Sequence, residues 1–165
     1  MTDNPGTHIP DDEFQDPLED YEPPEYGDRL EEALGEQPVT AMQAQPFECI
    51  PPDMSVEDAI QKLAEIGHAC LLVTEGDRLV GLFMDRDVLD RVALEYDQVR
   101  DKPVSDVMTT NPVYVHDTDS AGAALCVMAV SGYRHVPVVS LDGKLVGIVS
   151  PQRVTEFLVE HMQQA

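Results

Sequence analysis

Residues 145–154 read LVGIVSPQRV, and residues 79–88 read LVGLFMDRDV. One frame is written twice in a single chain, with Asp87 of the first copy replaced by Arg153 in the second. Working outward from this pair, the correspondence continues at a spacing of 65 to 66 residues. Pro46 answers to Pro112, Ser55 to Ser120, Gly67 to Gly132, Val73 to Val138, and Leu79-Val80-Gly81 to Leu145-Val146-Gly147. A repeat of this length dictates architecture before any single residue is interpreted.

Each copy has the same order of elements. A short apolar stretch (FECI, VYV) precedes a helix opened by Ser55 or Ser120 as N-cap, and Asp58 completes a capping-box-like pair in the first copy. Val56, Ala59, Ile60 and Leu63 recur at helical spacing and predict a buried face. Gly67 and Gly132 suit the left-handed position that ends a helix. Two extended runs follow, CLLVTEGDRLVGLF and VPVVSLDGKLVGIV, each broken by turn residues: Glu75-Gly76-Asp77 in one and Asp142-Gly143 in the other. DVLDRVALEY and RVTEFLVEH read as the closing helices. One βαββα unit is too small to cover its own sheet, so the expected fold is α/β (α+β): two βαββα repeats with pseudo-twofold symmetry and a cleft between them. The boundaries expected are an acidic, largely disordered tail at 1–40, repeat 1 at 41–101 and repeat 2 at 106–165.

The charge is unevenly placed. Residues 1–45 hold 13 of the 32 acidic side chains and one base, Arg29, so the tail carries −12 of the net −22. DDEFQDPLEDYEPPEY has the proline and carboxylate content of a disordered segment. The exception is DRLEEAL, residues 28–34, a candidate short helix that with Tyr21, Tyr26 and Leu30 could dock elsewhere; a solvated acidic tail is the favoured reading. So negative a chain repels phosphate backbones and offers no basic stripe, which argues against nucleic-acid partners. There is no apolar run of about 18 residues and no signal-peptide pattern, so no membrane association and a cytoplasmic location are expected.

Cys49, Cys70 and Cys126 are widely spaced among apolar neighbours and read as small core residues in a reducing compartment. His8, His68, His116 and His161 show no metal-ligand spacing. With no nucleophile or acid/base constellation, an enzyme is not expected.

At SDVMTTNPVYV, YRHVPVVSLDGKLVGIVS and GLFMDRDV the sequence resembles the cystathionine-β-synthase (CBS) domain, a family of tandem pairs, over roughly residues 40–165. The resemblance implies a regulatory module, paired as a homodimer, that binds AMP, ADP, ATP or S-adenosylmethionine between its repeats and signals to a regulated protein. No other cofactor is expected. In the family's pattern a Ser or Thr, with an Asp three residues later, opens each closing helix, and the carboxylate accepts from the ribose diol. Here the first copy keeps Asp87 but has Met84 in place of the hydroxyl, while the second keeps Ser150 but has Arg153 in place of the carboxylate. A guanidinium only donates, so it cannot replace the carboxylate.

The family also places phosphate-binding groups just before the proline of the opposite repeat. Those positions are Arg134 and His135 in one copy and the uncharged Ala69 and Cys70 in the other. Asp87 and Arg134/His135 therefore belong, by resemblance, to one cleft, and Arg153 and Ala69/Cys70 to its twin. One ligand site per chain is expected, with Pro112, Val113 and Tyr114 bordering the base and Leu82 and Met84 giving apolar contact.

Each residue also has a structural explanation. A carboxylate at Asp87 complements the helix dipole, and Ser150 followed by Pro151 suits an N-cap. Arg153 opposes the dipole and should be compensated by a nearby carboxylate. Arg134 and His135, adjacent in an apparent strand, should point to opposite faces, which favours Arg134 as the phosphate ligand. The competing functional reading is a ligand-free interaction platform whose acidic tail binds a basic partner.

Overall fold

The computed structural model describes residues 21–44, 47–67 and 70–162. Two four-stranded sheets form, and each is built the same way. The first has the order β2 (Cys49–Ile50), β3 (Cys70–Glu75), β4 (Arg78–Met84), β5 (Thr109–Thr110). The second has β6 (Val115–His116), β7 (Val136–Val139), β8 (Leu145–Val149) and finally β1 (Gln43–Ala44). In both, the first pair is parallel and the next two are antiparallel. The expected α/β pseudo-twofold pair is therefore present.

Helices α2 (Val56–Ile66) and α5 (Ala121–Ser131) end as the glycines predict, with Gly67 at φ 61° and Gly132 at φ 69°. Ser55 caps α2 through its side chain: Oγ accepts the Asp58 N–H at 3.1 Å and donates to the Asp58 carboxylate at 2.7 Å. Ser120 makes no such bond. The Ala121 N–H donates instead to the Gln37 carbonyl at 2.7 Å, and Val39 N–H to the Asp119 carbonyl at 2.7 Å. The first half does the same, with Val56 N–H on the Lys102 carbonyl at 2.9 Å and Glu57 N–H on that of Arg100 at 3.0 Å. Val39 and Val104, each opening a 3₁₀ turn after a proline, are both fully buried at these places.

The repeat thus begins earlier than Pro46, at Pro38 and Pro103, and its opening segment belongs to the other half. β5 leaves the first half's helices to close the first sheet, while β1 pairs with β8, Gln43 opposite Val149. The first half is residues 47–110; the second is 29–44 together with 115–162. Sheet membership crosses the 41–101 and 106–165 boundaries.

The favoured reading of the tail needs correction from residue 29. Helix α1 (Arg29–Glu36) forms, capped by Asp28, whose carboxylate accepts the Glu31 N–H at 2.8 Å. Ala33 is buried, and Leu30 and Leu34 pack with it against a core that includes Val39, Met42, Ala124 and Phe157. Few apolar residues suffice because they lie on one face. Residues 1–20 lie outside the described residues, as do Pro46, Ala69, His8 and His68.

β3 is apolar without alternation because both its faces are covered. Leu71 and Val73 face the first half's helices, whereas Cys70 and Leu72 join Leu82, Met84 and Ile148 in a core between the sheets. Only Cys70 is buried; Cys49 and Cys126 are exposed, on a sheet edge and on an outer helix face, contrary to the core assignment. In the first copy of the frame Gly81 is required by close packing: a Cβ there would meet the Thr109 carbonyl oxygen at 3.0 Å and collide with the Met108 thioether. Gly81→Ala is expected to lower stability by about 1–3 kcal/mol, read as a drop in denaturation midpoint.

The first closing helix is less regular than expected. A turn of α-helix, α3 (Asp85–Asp87), runs into a π turn, Val88–Val92, and then α4 (Tyr96–Val99). Its twin α6 (Pro151–Met162) is continuous.

Candidate functional site

A cleft of about 310 Å³ opens between the halves. Met84, Asp85, Arg86 and Leu89 line it from the end of β4 and the turn that follows, and Gly132, Tyr133, Arg134 and His135 line it from the α5–β7 connection. Residues 132–135 are not strand, since β7 starts at Val136. Strand alternation therefore does not govern Arg134 and His135, and both residues line the cleft. Arg134 is exposed and forms no ion pair among the described residues.

Asp87 lies behind this surface. It is 4% exposed, and both carboxylate oxygens are engaged. One accepts the Met84 N–H at 2.9 Å; the other accepts the Thr109 hydroxyl at 2.8 Å and pairs with the Arg91 guanidinium at 3.2 Å. Arg91 also donates to the carbonyls of Val107, at 2.9 Å, and Met108. Burial raises the Asp87 pKa above the ordinary carboxylate value, against the opposing pull of Thr109, the Met84 amide and Arg91. The nearby Cys70 thiol is pushed up to about 12, chiefly by burial and further by the charges of Asp87 and Asp85, so it stays protonated.

The remaining expected residues disperse. Leu82 shares a strand face with Met84 but lies two residues further from the end of β4, where it is wholly buried between the sheets and does not line the cleft. Pro112 and Tyr114 line a different hollow of about 320 Å³ with Arg78, Leu79, Val80, Asn111, Val139 and Gly143, near the start of β4. β5 runs antiparallel to β4 with Thr110 opposite Gly81, so the chain beyond it passes away from Met84. Val113 is exposed.

In the twin position, Arg153 is compensated as expected by a carboxylate of its own chain, Glu156, at 3.0 Å. Ser150 Oγ accepts the Arg153 N–H at a long 3.4 Å. Sequence reasoning missed Asp85, Arg86, Leu89 and Tyr133 on the cleft, and Arg91 and Thr109 behind it. Arg86 and Asp85 adjoin Asp87 in the repeated frame, which is a usable signal; Thr109 is 22 residues away and has none. Among the described residues no group of three or more His, Cys, Asp or Glu is arranged to hold a metal, and no helix is long and apolar enough to cross a membrane.

The family model for the CBS domain matches residues 39–94 and again residues 104–160. The CBS domain-containing protein CBSCBSPB3 of Arabidopsis thaliana is 31% identical over 132 residues, covering 79% of this chain. The chain spans about a quarter of the length of such relatives, 24% in this case. Two crystal structures are similar across most of both chains. The CBS domain NE2398 shows 30% identity and a TM-score of 0.63, over 69% of this chain and 88% of that one. CBSX2 in complex with AMP shows 29% identity and a TM-score of 0.65, over 74% and 96%.

Proposed function

The chain belongs to the CBS-domain family, and on that premise we propose that it is a regulatory sensor of an adenosine-containing ligand, not a catalyst. The observation that carries this reading is the cleft lined from both halves, with Met84 on one wall and Arg134 and His135 on the other. The ligand's phosphate meets Arg134 and His135, and its ribose approaches the first turn after β4. To reach Asp87, a ribose diol takes the place of the Thr109 hydroxyl, so occupancy is felt by β5 and by the segment joining the halves. A similar protein, CBSX2, is known in complex with AMP.

The module acts as a cytoplasmic homodimer that passes this signal to a regulated protein. Val130, Leu94, Val159 and Met162 are exposed apolar side chains on outer helices and their ends, the kind of surface a dimer covers. A ligand-free interaction platform is the second reading, favoured by the fully engaged carboxylate of Asp87. Thermal denaturation of the full chain with AMP, ATP and S-adenosylmethionine separates the two. A ligand at a hundred times its dissociation constant should add about 2.7 kcal/mol. No shift with any of the three would leave the platform.

A further inference from the structure

The cleft's electrostatics, taken with the proposed adenosine site, narrow the ligand further. Each wall carries a guanidinium: Arg86 on the first half and Arg134 on the second. Sequence repetition does not explain Arg86, because its counterpart is Gln152, at the same offset after the repeated frame. Among the described residues the Arg86 side chain is held only by Asp90, at 3.4 Å, in a pair whose side chains are 72% and 62% exposed. Such a pair is worth little and leaves the guanidinium available to a stronger anion. The acidic group facing the cleft is Asp85, which accepts the Arg86 N–H at 2.8 Å. Met84, Leu89 and Tyr133 supply apolar wall between the charges.

Two guanidiniums on opposite walls match an anion long enough to touch both. A forked donor set binds phosphate oxygens in pairs, and each extra phosphate adds acceptors and charge. S-adenosylmethionine sets a sulfonium and an ammonium against a single carboxylate, so its net positive charge opposes the two cations and only one of them can find an anionic partner. A bare monophosphate satisfies one arginine and leaves the other to water.

We infer that Arg86 and Arg134 form a two-walled clamp that selects adenosine di- or triphosphate over AMP and over S-adenosylmethionine. This rests on the adenosine reading of the same cleft and adds its specificity. The phosphate chain bridges the halves, so the charge that gives affinity also holds the cleft closed.

Calorimetry on the full chain with adenosine, AMP, ADP, ATP and S-adenosylmethionine tests it. ADP and ATP should bind about tenfold more tightly than AMP, and S-adenosylmethionine should give no heat. Arg86→Ala should erase the ADP:AMP ratio by weakening ADP and ATP about tenfold more than AMP; Arg134→Ala should weaken all three nucleotides. Asp85→Asn, which removes the opposing charge, should tighten ATP. If AMP and ATP bind equally, or Arg86→Ala leaves their ratio intact, or S-adenosylmethionine binds as well as ATP, the clamp is wrong and the adenosine site stands. Absence of heat with every compound overturns both.

Discussion

Deleting residues 1–44 is expected to unfold the second half of the protein. The segment supplies β1, which occupies the edge beside β8, together with the buried side chains of Ala33, Val39 and Met42. It also supplies the Gln37 carbonyl that accepts from the first amide of α5. Truncating one residue of the size of Met42 in a core costs about 2–5 kcal/mol. Val39, α1 and the lost hydrogen bonds add to that. The sum reaches the whole stability of an ordinary domain, about 5–15 kcal/mol. Hydrogen exchange on the fragment 45–165 should show β6, β7 and β8 unprotected. Met42→Ala in the full chain is the graded version, with a loss of about 2–5 kcal/mol in denaturant titration. A fragment that keeps native protection in β7 and β8 would show that the acidic segment is dispensable.

The second large effect belongs to Asp87→Ala. The substitution leaves the Met84 amide and Thr109 hydroxyl without their acceptor in a buried place, at a cost of about 1–3 kcal/mol, and it should abolish nucleotide binding in calorimetry. Unchanged affinity would remove Asp87 from the site and leave it a structural residue. Asp87→Asn separates charge from packing, because an amide oxygen still accepts. Burial raises the Asp87 pKa, so the folded state holds this proton more tightly than the unfolded chain does. The associated stabilisation is complete below the ordinary carboxylate pKa and is lost as pH rises through the raised value. Wild type should therefore lose stability relative to Asp87→Asn as pH rises across that window, then run parallel to it. A difference that changed in the opposite direction would contradict the burial effect.

Much of the fold was legible because its determinants are local and written twice. Gly67 and Gly132 end helices, Gly76 and Gly143 turn hairpins at positive φ, and Ser55 caps α2, all as residue chemistry predicts. What the sequence hid was non-local. Nothing in PVTAM or QA announces that these residues complete a sheet whose neighbouring strand starts at Leu145, and the carboxylates around Leu30, Ala33 and Leu34 mask a short apolar stripe. The cleft was legible in the same measure. Met84, Arg134 and His135 line one cleft, Met84 at the end of β4 and the other two just before β7, a grouping that came from the family resemblance and not from the doubled frame. Asp87 is drawn away from the surface by Thr109 and Arg91, partners fixed by the path of the joining segment. Pro112 and Tyr114 go elsewhere for the same reason.

Because Gln43 pairs with Val149, the segment from Arg29 to Ala44 has no docking place until the ribosome has carried synthesis past Val149, 106 positions after Gln43. At about 5–20 residues per second, that is a delay of several seconds to tens of seconds. Through that interval Val39 and Met42 stay wet, and the nascent chain's density of carboxylates keeps neighbouring copies apart while they wait.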